Sequence, residues 1–355
     1  MRTPRLWDVF CRVIDNHGDL GVAWRLSADL AARGERVRLW VDDAPALAWM
    51  APQGQAGVDL VAWTEPAPDL EPGDVVVETF GCDPPAGFVR RMAGRATPPP
   101  WINLEYLSAE AYVERSHGLP SPVTVQGRLL TKRFFYPGFT ARSAGLLREP
   151  GLLAARQAFD REAWQREFDL GTQAGERLVS LFCYDNPALA GMLDLLGKSP
   201  TLLLAAPGAA AEQARALLGP TLRRGALRAR LLPFLPQHGY DQLLWASDLN
   251  FVRGEDSFVR AQWAGNPFVW QIYPQPDGAH ARKLHAFLDR QLARVDDALA
   301  GLVRGACLGW NGLAPLPAAL PPLGPWRQLC EDWRDGLREQ PDLSSQLLSF
   351  IQKLR

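Results

Sequence analysis

Residues 6–41 read LWDVFCRVIDNHGDLGVAWRLSADLAARGERVRLWV, and this stretch decides the fold class. Residues 6–13 and 36–41 are short apolar runs that predict two strands. Residues 22–32 between them have the apolar spacing of an amphipathic helix that ends at Gly34. A helical crossover returns the chain to the end of the sheet at which the first strand began, so the two strands should run parallel. The stretch therefore predicts an α/β domain.

The same alternation of apolar runs and helical segments continues in two successive halves of the chain. Further strands are predicted at residues 58–63, 74–78 and 101–104 in the first half, and at 178–184, 201–206, 228–232, 249–253 and 268–273 in the second. Each half has enough strands for its own parallel sheet, and ligands of such sheets bind beyond the carboxyl ends of the strands. We therefore expect two Rossmann-like domains facing a cleft.

The segments that join these strands set the expected domain boundaries. Residues 152–168 are highly charged and predict a helical connector, whereas the proline-rich residues 313–325 predict a loop. Helices are expected after that loop, at residues 326–337 and 343–354. The predicted domains are residues 1–155 and 172–335, and residues 340–355 are expected to pack back on the first.

Composition excludes several classes of protein. The 355 residues include 38 Lys and Arg against 39 Asp and Glu, so the formal net charge of −1 gives no cationic field for nucleic acid or membrane surfaces. The five cysteines form no C-x-x-C pair, which argues against a zinc site or a disulfide framework. Asp8 interrupts the apolar run of the N-terminus, which is not typical of a signal peptide. We expect a cytoplasmic protein with reduced thiols.

The turn after the first strand carries two carboxylates, Asp15 and Asp19, on either side of Gly18. A structural interpretation is that Asp19 caps the following helix and Asp15 shapes the turn. Such a pair also suits a cationic group that must be held and relieved of a proton, or Mg²⁺ with further oxygen ligands. His17 is a second possible base in the same turn. The residues alone leave these alternatives open.

A second polar cluster follows the predicted strand at 249–253 and opens a helix. Arg253 supplies a fixed charge suited to bidentate phosphate contact, and Asp256 or Ser257 is placed to cap the helix. A helix N-terminus favours anions, and the Glu255 carboxylate suits sugar hydroxyls. The cluster suggests a nucleotide diphosphate site, and the alternative is an ordinary capped helix with a local Arg–Glu pair.

Three blocks of this sequence resemble the EarP family of protein-arginine rhamnosyltransferases, which act on translation elongation factor P. They are WDVFCRVIDNHGDLG at residues 7–21, KRFFYPGF at 132–139 and RGEDSFVRAQWAGNPFVWQIYPQ at 253–275. The similarity runs from the first strand to the last helix. One position departs from the family, since His17 stands where phenylalanine is more typical.

This resemblance implies a GT-B fold and an inverting transfer of rhamnose from dTDP-β-L-rhamnose to an arginine guanidinium of elongation factor P. It implies that Asp15 and Asp19 serve the acceptor arginine, with Asp19 as the general base. It also implies donor contacts for a set of second-half residues, namely Tyr184, Gln237, Arg253, Glu255, Asp256 and Ser257. No cofactor and no metal are expected, because protein groups can stabilise the departing diphosphate.

Two other functions stay open at this stage. One is a GT-B transferase with another nucleotide sugar or a small-molecule acceptor, and the other is a two-domain ligand-binding protein without chemistry. Two further clusters are interpreted as structural. The aromatic residues at 134–139 are expected to form core and a rigid turn, and the arginines at 223, 224, 228 and 230 a solvated edge.

Overall fold

The structure is a computed structural model that describes residues 3–14, 17–275 and 277–354. It divides the chain into two units, one of Met1–Pro150 with Glu339–Arg355 and one of Gly151–Arg338. Residues 151–155, which we assigned to the first domain, therefore lie in the second unit, as does the whole charged connector.

The elements alternate between strands and helices in both units. In chain order the strands of the described residues are β1 (Leu6–Cys11), β2 (Arg36–Val41), β3 (Val58–Ala62), β4 (Val75–Thr79), β5 (Trp101–Leu104), β6 (Pro120–Val125), β7 (Arg128–Phe135), β8 (Arg177–Leu181), β9 (Thr201–Ala205), β10 (Arg223–Arg224), β11 (Leu227–Leu231), β12 (Leu249–Arg253) and β13 (Phe268–Gln271). The helices are α1 (Gly18–Ala32), α2 (Leu47–Met50), α3 (Ala86–Gly94), α4 (Tyr112–Ser116), α5 (Leu152–Gln157), α6 (Arg161–Glu167), α7 (Leu189–Leu196), α8 (Ala209–Leu218), α9 (Gln237–Ala246), α10 (Asp256–Ala264), α11 (Ala279–Gln291), α12 (Asp297–Trp310), α13 (Leu323–Arg338) and α14 (Leu343–Lys353).

The first unit is built on a seven-stranded sheet in the order β3-β2-β1-β4-β5-β7-β6. Its strands pair in parallel except β6, which pairs antiparallel with β7. Successive residues of a strand point to opposite faces, so Val75 and Val77 join a core with α1 and α14, while Val76 joins a core with α3. The strand order reverses between β1 and β4, which is where a doubly wound sheet binds its ligand.

The last helix of the chain packs on the first unit. Leu347 and Ile351 of α14 are fully buried in the same core as α1. At the start of α14, Asp342 caps the helix by accepting from the Ser345 N–H at 2.8 Å, and it also binds Arg33, the residue that follows α1, at 2.9 Å. Apolar burial and this ion pair therefore attach α14 to α1.

The second unit repeats the design with a sheet in the order β10-β11-β9-β8-β12-β13. Only β10 pairs antiparallel within the described part of this sheet, and its partner is β11. The strand order reverses between β8 and β12, so this unit also has a switch point. The prediction of two Rossmann-like α/β domains is confirmed.

Several local predictions were wrong in extent. Helix α1 begins at Gly18 and so includes Asp19 in its first turn, four residues before the predicted start. The connector is two helices, because Asp160 caps α6 by accepting from the Ala163 N–H. The proline-rich loop ends before α13, whose first turn accommodates Pro325 because that turn needs no intrahelical N–H bond.

The hairpin of β6 and β7 was missed altogether. Proline is unfavourable within a central strand, but Pro120 and Pro122 of β6 lie at the edge of the sheet, where a missing N–H leaves no ladder bond unmade. The turn is Gln126-Gly127, and both residues have positive φ, of 49° and 79°. Two left-handed central residues are typical of the type I′ hairpin turn, so the Gln126-Gly127 pair was a sequence signal that could have indicated this hairpin.

The two clusters interpreted as structural have different outcomes. Phe135 and Phe139 are buried, as expected, while Phe134 and Tyr136 are half-buried. The arginine edge is bonded to protein rather than merely solvated: Arg228 forms two hydrogen bonds of 2.6 and 2.7 Å with Glu176. Arg224 donates hydrogen bonds to the carbonyls of Ala190 and Leu217, and Arg230 donates one to the carbonyl of Asp169.

Candidate active site

The acidic turn lies at the switch point of the first unit, directly after β1. Asp15 lies outside the described residues. Asp19, in the first turn of α1, is only 3% exposed. It does not cap the helix as the structural interpretation expected, since His17 occupies the cap position. The His17 ring instead packs edge-on against Trp49, with 5.3 Å between ring centroids. A histidine thus makes an aromatic contact at the position where phenylalanine is more typical of the family.

Both oxygens of the Asp19 carboxylate face a donor. The Ile14 N–H donates to Oδ2 at 3.1 Å, and the Tyr106 hydroxyl donates to Oδ1 at 3.5 Å. Behind the carboxylate lies Cys11 of β1, and burial together with the charge of Asp19 raises the pKa of the Cys11 thiol. The turn thus holds a nearly buried carboxylate beside a neutral thiol.

The neighbouring carboxyl ends of β4 and β5 supply aromatic and acidic side chains. The rings of Phe80 and Tyr106 are stacked, with centroids 4.2 Å apart and planes at 15°. One residue before Tyr106, Glu105 accepts from the Asn103 amide at 2.8 Å. Burial, with Glu105 nearby, raises the pKa of Tyr136 to about 12. This edge of the sheet therefore combines carboxylates with tyrosine rings, which suits a flat cationic group.

The cationic turn lies at the switch point of the second unit, between β12 and α10. The guanidinium carbon of Arg253 lies 4.4 Å from the ring centroid of Phe182 and 4.4 Å from that of Tyr184. Arg253 therefore lies over the faces of both rings, and a guanidinium in cation–π contact still has N–H groups to donate. Phe182 and Tyr184 follow β8, which is the neighbour of β12.

Hydrogen bonds brace the backbone of this turn. The Ser257 hydroxyl accepts from the Arg253 N–H at 3.0 Å and donates to the Arg253 carbonyl in a short bond. Gly254 has a φ of 62°, which glycine adopts without strain, and its carbonyl accepts from the Trp270 indole at 2.7 Å. The expectation that Ser257 or Asp256 caps α10 was therefore wrong: Glu255 occupies the cap position and Ser257 secures Arg253.

The remaining predicted donor residues surround this turn. Gln237 is the first residue of α9, and one turn later Tyr240 packs against the Phe182 ring at 5.7 Å. Burial raises the pKa of Tyr240, whose hydroxyl lies beside Ser257. Glu255 and Asp256 are half-buried at the start of α10. The structure thus brings the six predicted residues to one end of the second sheet.

Sequence reasoning missed several aromatic residues at these two ends. They are Phe80 and Tyr106 in the first unit and Phe182, Phe234 and Tyr273 in the second. Phe234 and Tyr273 are 54% and 48% exposed, which is unusual for large rings, and Tyr273 packs edge-on against Tyr184 at 5.4 Å. The available signal was position, since each of these rings follows a strand end.

The described residues contain neither a cluster of metal ligands nor a membrane-spanning helix. No group of three or more His, Cys, Asp and Glu side chains there is arranged to hold a metal ion. None of the helices in that part of the chain has the length and apolar character needed to cross a bilayer. The cysteines of the chain are unpaired, and burial raises the pKa of the Cys183 and Cys307 thiols to about 12.

Two Rossmann-like units, each with polar side chains at its switch point, are the architecture of the GT-B class of glycosyltransferases. In agreement, the chain shares its fold with the spinosyn forosaminyltransferase SpnP at a TM-score of 0.56 and 13% identity, covering 99% of both chains. The chain belongs to the EarP family: residues 7–352 match the family described as Elongation-Factor P (EF-P) rhamnosyltransferase EarP.

Individual relatives agree with this assignment. The chain is 44% identical to the protein-arginine rhamnosyltransferase of Pseudomonas aeruginosa, over 97% of this chain and 98% of that protein. It is also similar to a solved structure described as the structural basis for EarP-mediated arginine glycosylation of translation elongation factor EF-P. That match has a TM-score of 0.69 and 32% identity, and covers 98% of this chain and 99% of the other. The family prediction is confirmed.

Proposed function

We propose that this protein transfers rhamnose from dTDP-β-L-rhamnose to the guanidinium of an arginine of elongation factor P, with inversion at the sugar C1. The observation that carries the proposal is the family match over residues 7–352, combined with an acidic turn in one unit and a cationic turn in the other. The acceptor is a translation factor, so the reaction belongs in the cytoplasm. Neither a nucleic acid nor a membrane takes part.

The acceptor half of the reaction needs carboxylates. A guanidinium is charged at every cellular pH and delocalised, so its nitrogens are poor nucleophiles. In our proposal Asp15 and Asp19 hold it through charge-assisted hydrogen bonds and aim one nitrogen at C1. Asp19 then accepts the proton that this nitrogen loses. Its near-complete burial supports this role, because a carboxylate shielded from water interacts more strongly with a cation.

The donor half needs positive charge at the leaving group. We propose that Arg253 contacts the diphosphate with its in-plane N–H groups, while the N-terminus of α10 supplies further stabilisation. Tyr184 and Gln237 bind the nucleotide, and Glu255 accepts hydrogen bonds from sugar hydroxyls. Asp256 and Ser257 complete the donor site at the start of α10. The exposed ring of Phe234 is available for stacking on the thymine base.

The bond changes balance without a metal or cofactor. The arginine nitrogen forms a bond to C1 from the face opposite the diphosphate, and the bond from C1 to the diphosphate oxygen breaks. The products are an α-rhamnosyl arginine and dTDP, with the proton on Asp19. The charge that grows on the leaving group is neutralised by Arg253, which is the task that a metal performs in other transferases.

Intact-mass measurement of elongation factor P tests the proposal. Incubation with this protein and dTDP-rhamnose should add one deoxyhexose, on an arginine located by peptide mapping, and the gain should persist in EDTA. NMR of the product should show the α linkage. A thermal-shift control with dTDP, UDP, GDP and ADP verifies that the enzyme is folded, and dTDP should stabilise it most. No mass gain from enzyme that dTDP stabilises would contradict the proposal.

A further inference from the structure

We propose that Tyr106 is a positioning residue for Asp19, and that the stack of Phe80 on Tyr106 holds its hydroxyl in place. This inference rests on the proposed role of Asp19 as the general base. Tyr106 comes from the loop after β5 and lies 87 residues from Asp19 in the sequence. It does not touch the sugar in this proposal, because its role is to orient the carboxylate that accepts the proton.

The carboxylate needs an orienting partner because the last torsion of an aspartate side chain is broad. The Ile14 N–H holds Oδ2, and the Tyr106 hydroxyl faces Oδ1 at 3.5 Å. The second distance is long for a hydrogen bond, and we expect it to shorten in the complex with the acceptor arginine. Both oxygens thus face a donor from the protein, and a carboxylate oxygen can accept more than one hydrogen bond.

The backbone under the stack is held in a conformation that a phenylalanine rarely adopts. Phe80 has a φ of 58°, in the left-handed region, and Gly81 follows with 68°. The Phe80 N–H donates to the Leu104 carbonyl at 2.7 Å, and the Gly81 N–H donates to the Asn103 side chain at 3.1 Å. Both acceptors belong to the end of β5, directly before Tyr106. Strained residues persist where the surroundings over-determine them, and they concentrate at functional sites.

Simple core packing does not account for this stack. Phe80 and Tyr106 are both half-buried, and neither is a member of the described core around α1 and α14 or of the described core around α3. A glycine at position 80 would relieve the backbone, yet a bulky ring stands there and covers the tyrosine. The retained ring is explained if its task is to fix the direction of the Tyr106 hydroxyl.

The charges around Asp19 determine what loss of the hydroxyl does to the pH dependence. Within the described chain, Asp19 faces the Cys11 thiol of β1 and the Tyr106 phenol of the loop after β5. His17 precedes Asp19 at the N-cap of α1. The phenol donates to the carboxylate and so favours its charged form. Without that donor the carboxylate takes up a proton at higher pH, so the acidic limb of the pH–rate profile should move upward.

The test compares Tyr106→Phe with Tyr112→Phe, a matched loss of one tyrosine hydroxyl in the same unit. Tyr106→Phe should lower kcat about tenfold, the low end for a hydrogen bond to a charged group. The KM for both substrates and the melting temperature should stay close to the unmodified values, and the acidic limb should move to higher pH. Tyr112→Phe should change neither kcat nor the profile.

A second variant separates the ring stack from the hydroxyl. Phe80→Gly suits the left-handed backbone and removes the stacked ring, so it should also lower kcat while the enzyme still binds dTDP. Unchanged kcat and pH profile in both variants would overturn the inference. If Asp19→Asn is inactive while Tyr106→Phe behaves as wild type, only the inference fails. If Asp19→Asn keeps full turnover, the proposed base itself is wrong.

Discussion

The two strand-to-helix turns both lie at switch points, one after β1 and the other after β12, and they centre on side chains of opposite charge. The turn after β1 holds Asp19 nearly buried against an N–H and a hydroxyl. The turn after β12 holds Arg253 between two aromatic faces. The two switch points thus present a carboxylate in one unit and a guanidinium in the other. The fold supplies the place, and the side chains placed there supply the chemistry.

Aromatic residues support both turns, and they do so in different ways. In the first unit a stacked pair directs a hydroxyl at the carboxylate, so the polar end of Tyr106 is used. In the second unit the rings of Phe182 and Tyr184 cover the cation, so their faces are used. Tyrosine offers both a hydrogen-bond donor and a negative ring face, which explains its presence at both.

The largest effect should come from Asp19→Asn. Asparagine keeps the size of the side chain but cannot take a proton, so turnover should fall by about 10²–10⁴-fold. The affinity for dTDP should stay unchanged in calorimetry, because the donor site lies in the other turn. Asp15→Asn should impair turnover less, through loss of half the carboxylate clamp.

Asp59→Asn, an equivalent change at an exposed position of β3, is the control and should leave turnover intact. Near-normal turnover of folded Asp19→Asn would move the base to Asp15 or His17. A fall in turnover that merely follows a lowered melting temperature would indicate a structural role for the acidic turn.

Arg253→Ala is expected to have the next largest effect, and on binding rather than on the proton. Loss of a charge-assisted contact should weaken dTDP binding by about 1.5–3 kcal/mol, roughly 10- to 150-fold. Arg253→Lys should recover only part, because an ammonium lacks the planar fork. Arg230→Ala, an exposed arginine of β11, is the matched control. Calorimetric affinity equal to wild type in Arg253→Ala would place the diphosphate elsewhere.

Ser257→Ala should have a smaller effect in the same turn. Its hydroxyl bonds both the N–H and the carbonyl of Arg253, so its loss should weaken dTDP binding by about 1 kcal/mol while the guanidinium stays. Ser247→Ala removes another buried hydroxyl of this unit, one that donates to the Leu243 carbonyl, and should not change dTDP binding. Equal losses of affinity in the two variants would show a general effect on the unit.

Glu176→Gln should have the smallest effect on function. It breaks the ion pair of Glu176 with Arg228, and neither residue lies in the acidic or the cationic turn. The Arg228 guanidinium lowers the pKa of Glu176. A carboxylate with a lowered pKa stabilises the fold above its ordinary value near 4.5 and loses that contribution as the pH falls through the lowered value. The variant should therefore be about 1 kcal/mol less stable at neutral pH and equal to wild type in strong acid. Melting temperatures across pH measure this, and a pH-independent difference would contradict it.

Local pattern determined much of the molecule. β2, β5 and β12 lie at the predicted bounds, because most of their side chains are apolar and buried. The acidic and cationic turns were also found from sequence, since each follows such a strand, and the three family blocks indicated the reaction. The β6–β7 hairpin was missed because an edge strand tolerates prolines that a central strand excludes.

Only the tertiary structure decided which residues meet. Tyr106 reaches Asp19 because β5 is only two strands away from β1, with β4 between them, and Phe182 lies over Arg253 because β8 is the neighbour of β12. Hydrophobic periodicity reports whether a segment is a strand or a helix and which of its faces is buried. It carries no information on the order of strands in a sheet, which depends on how all the crossovers pack at once. For that reason the charged residues of each turn could be named from the sequence, whereas Phe80, Tyr106 and Phe182 could not.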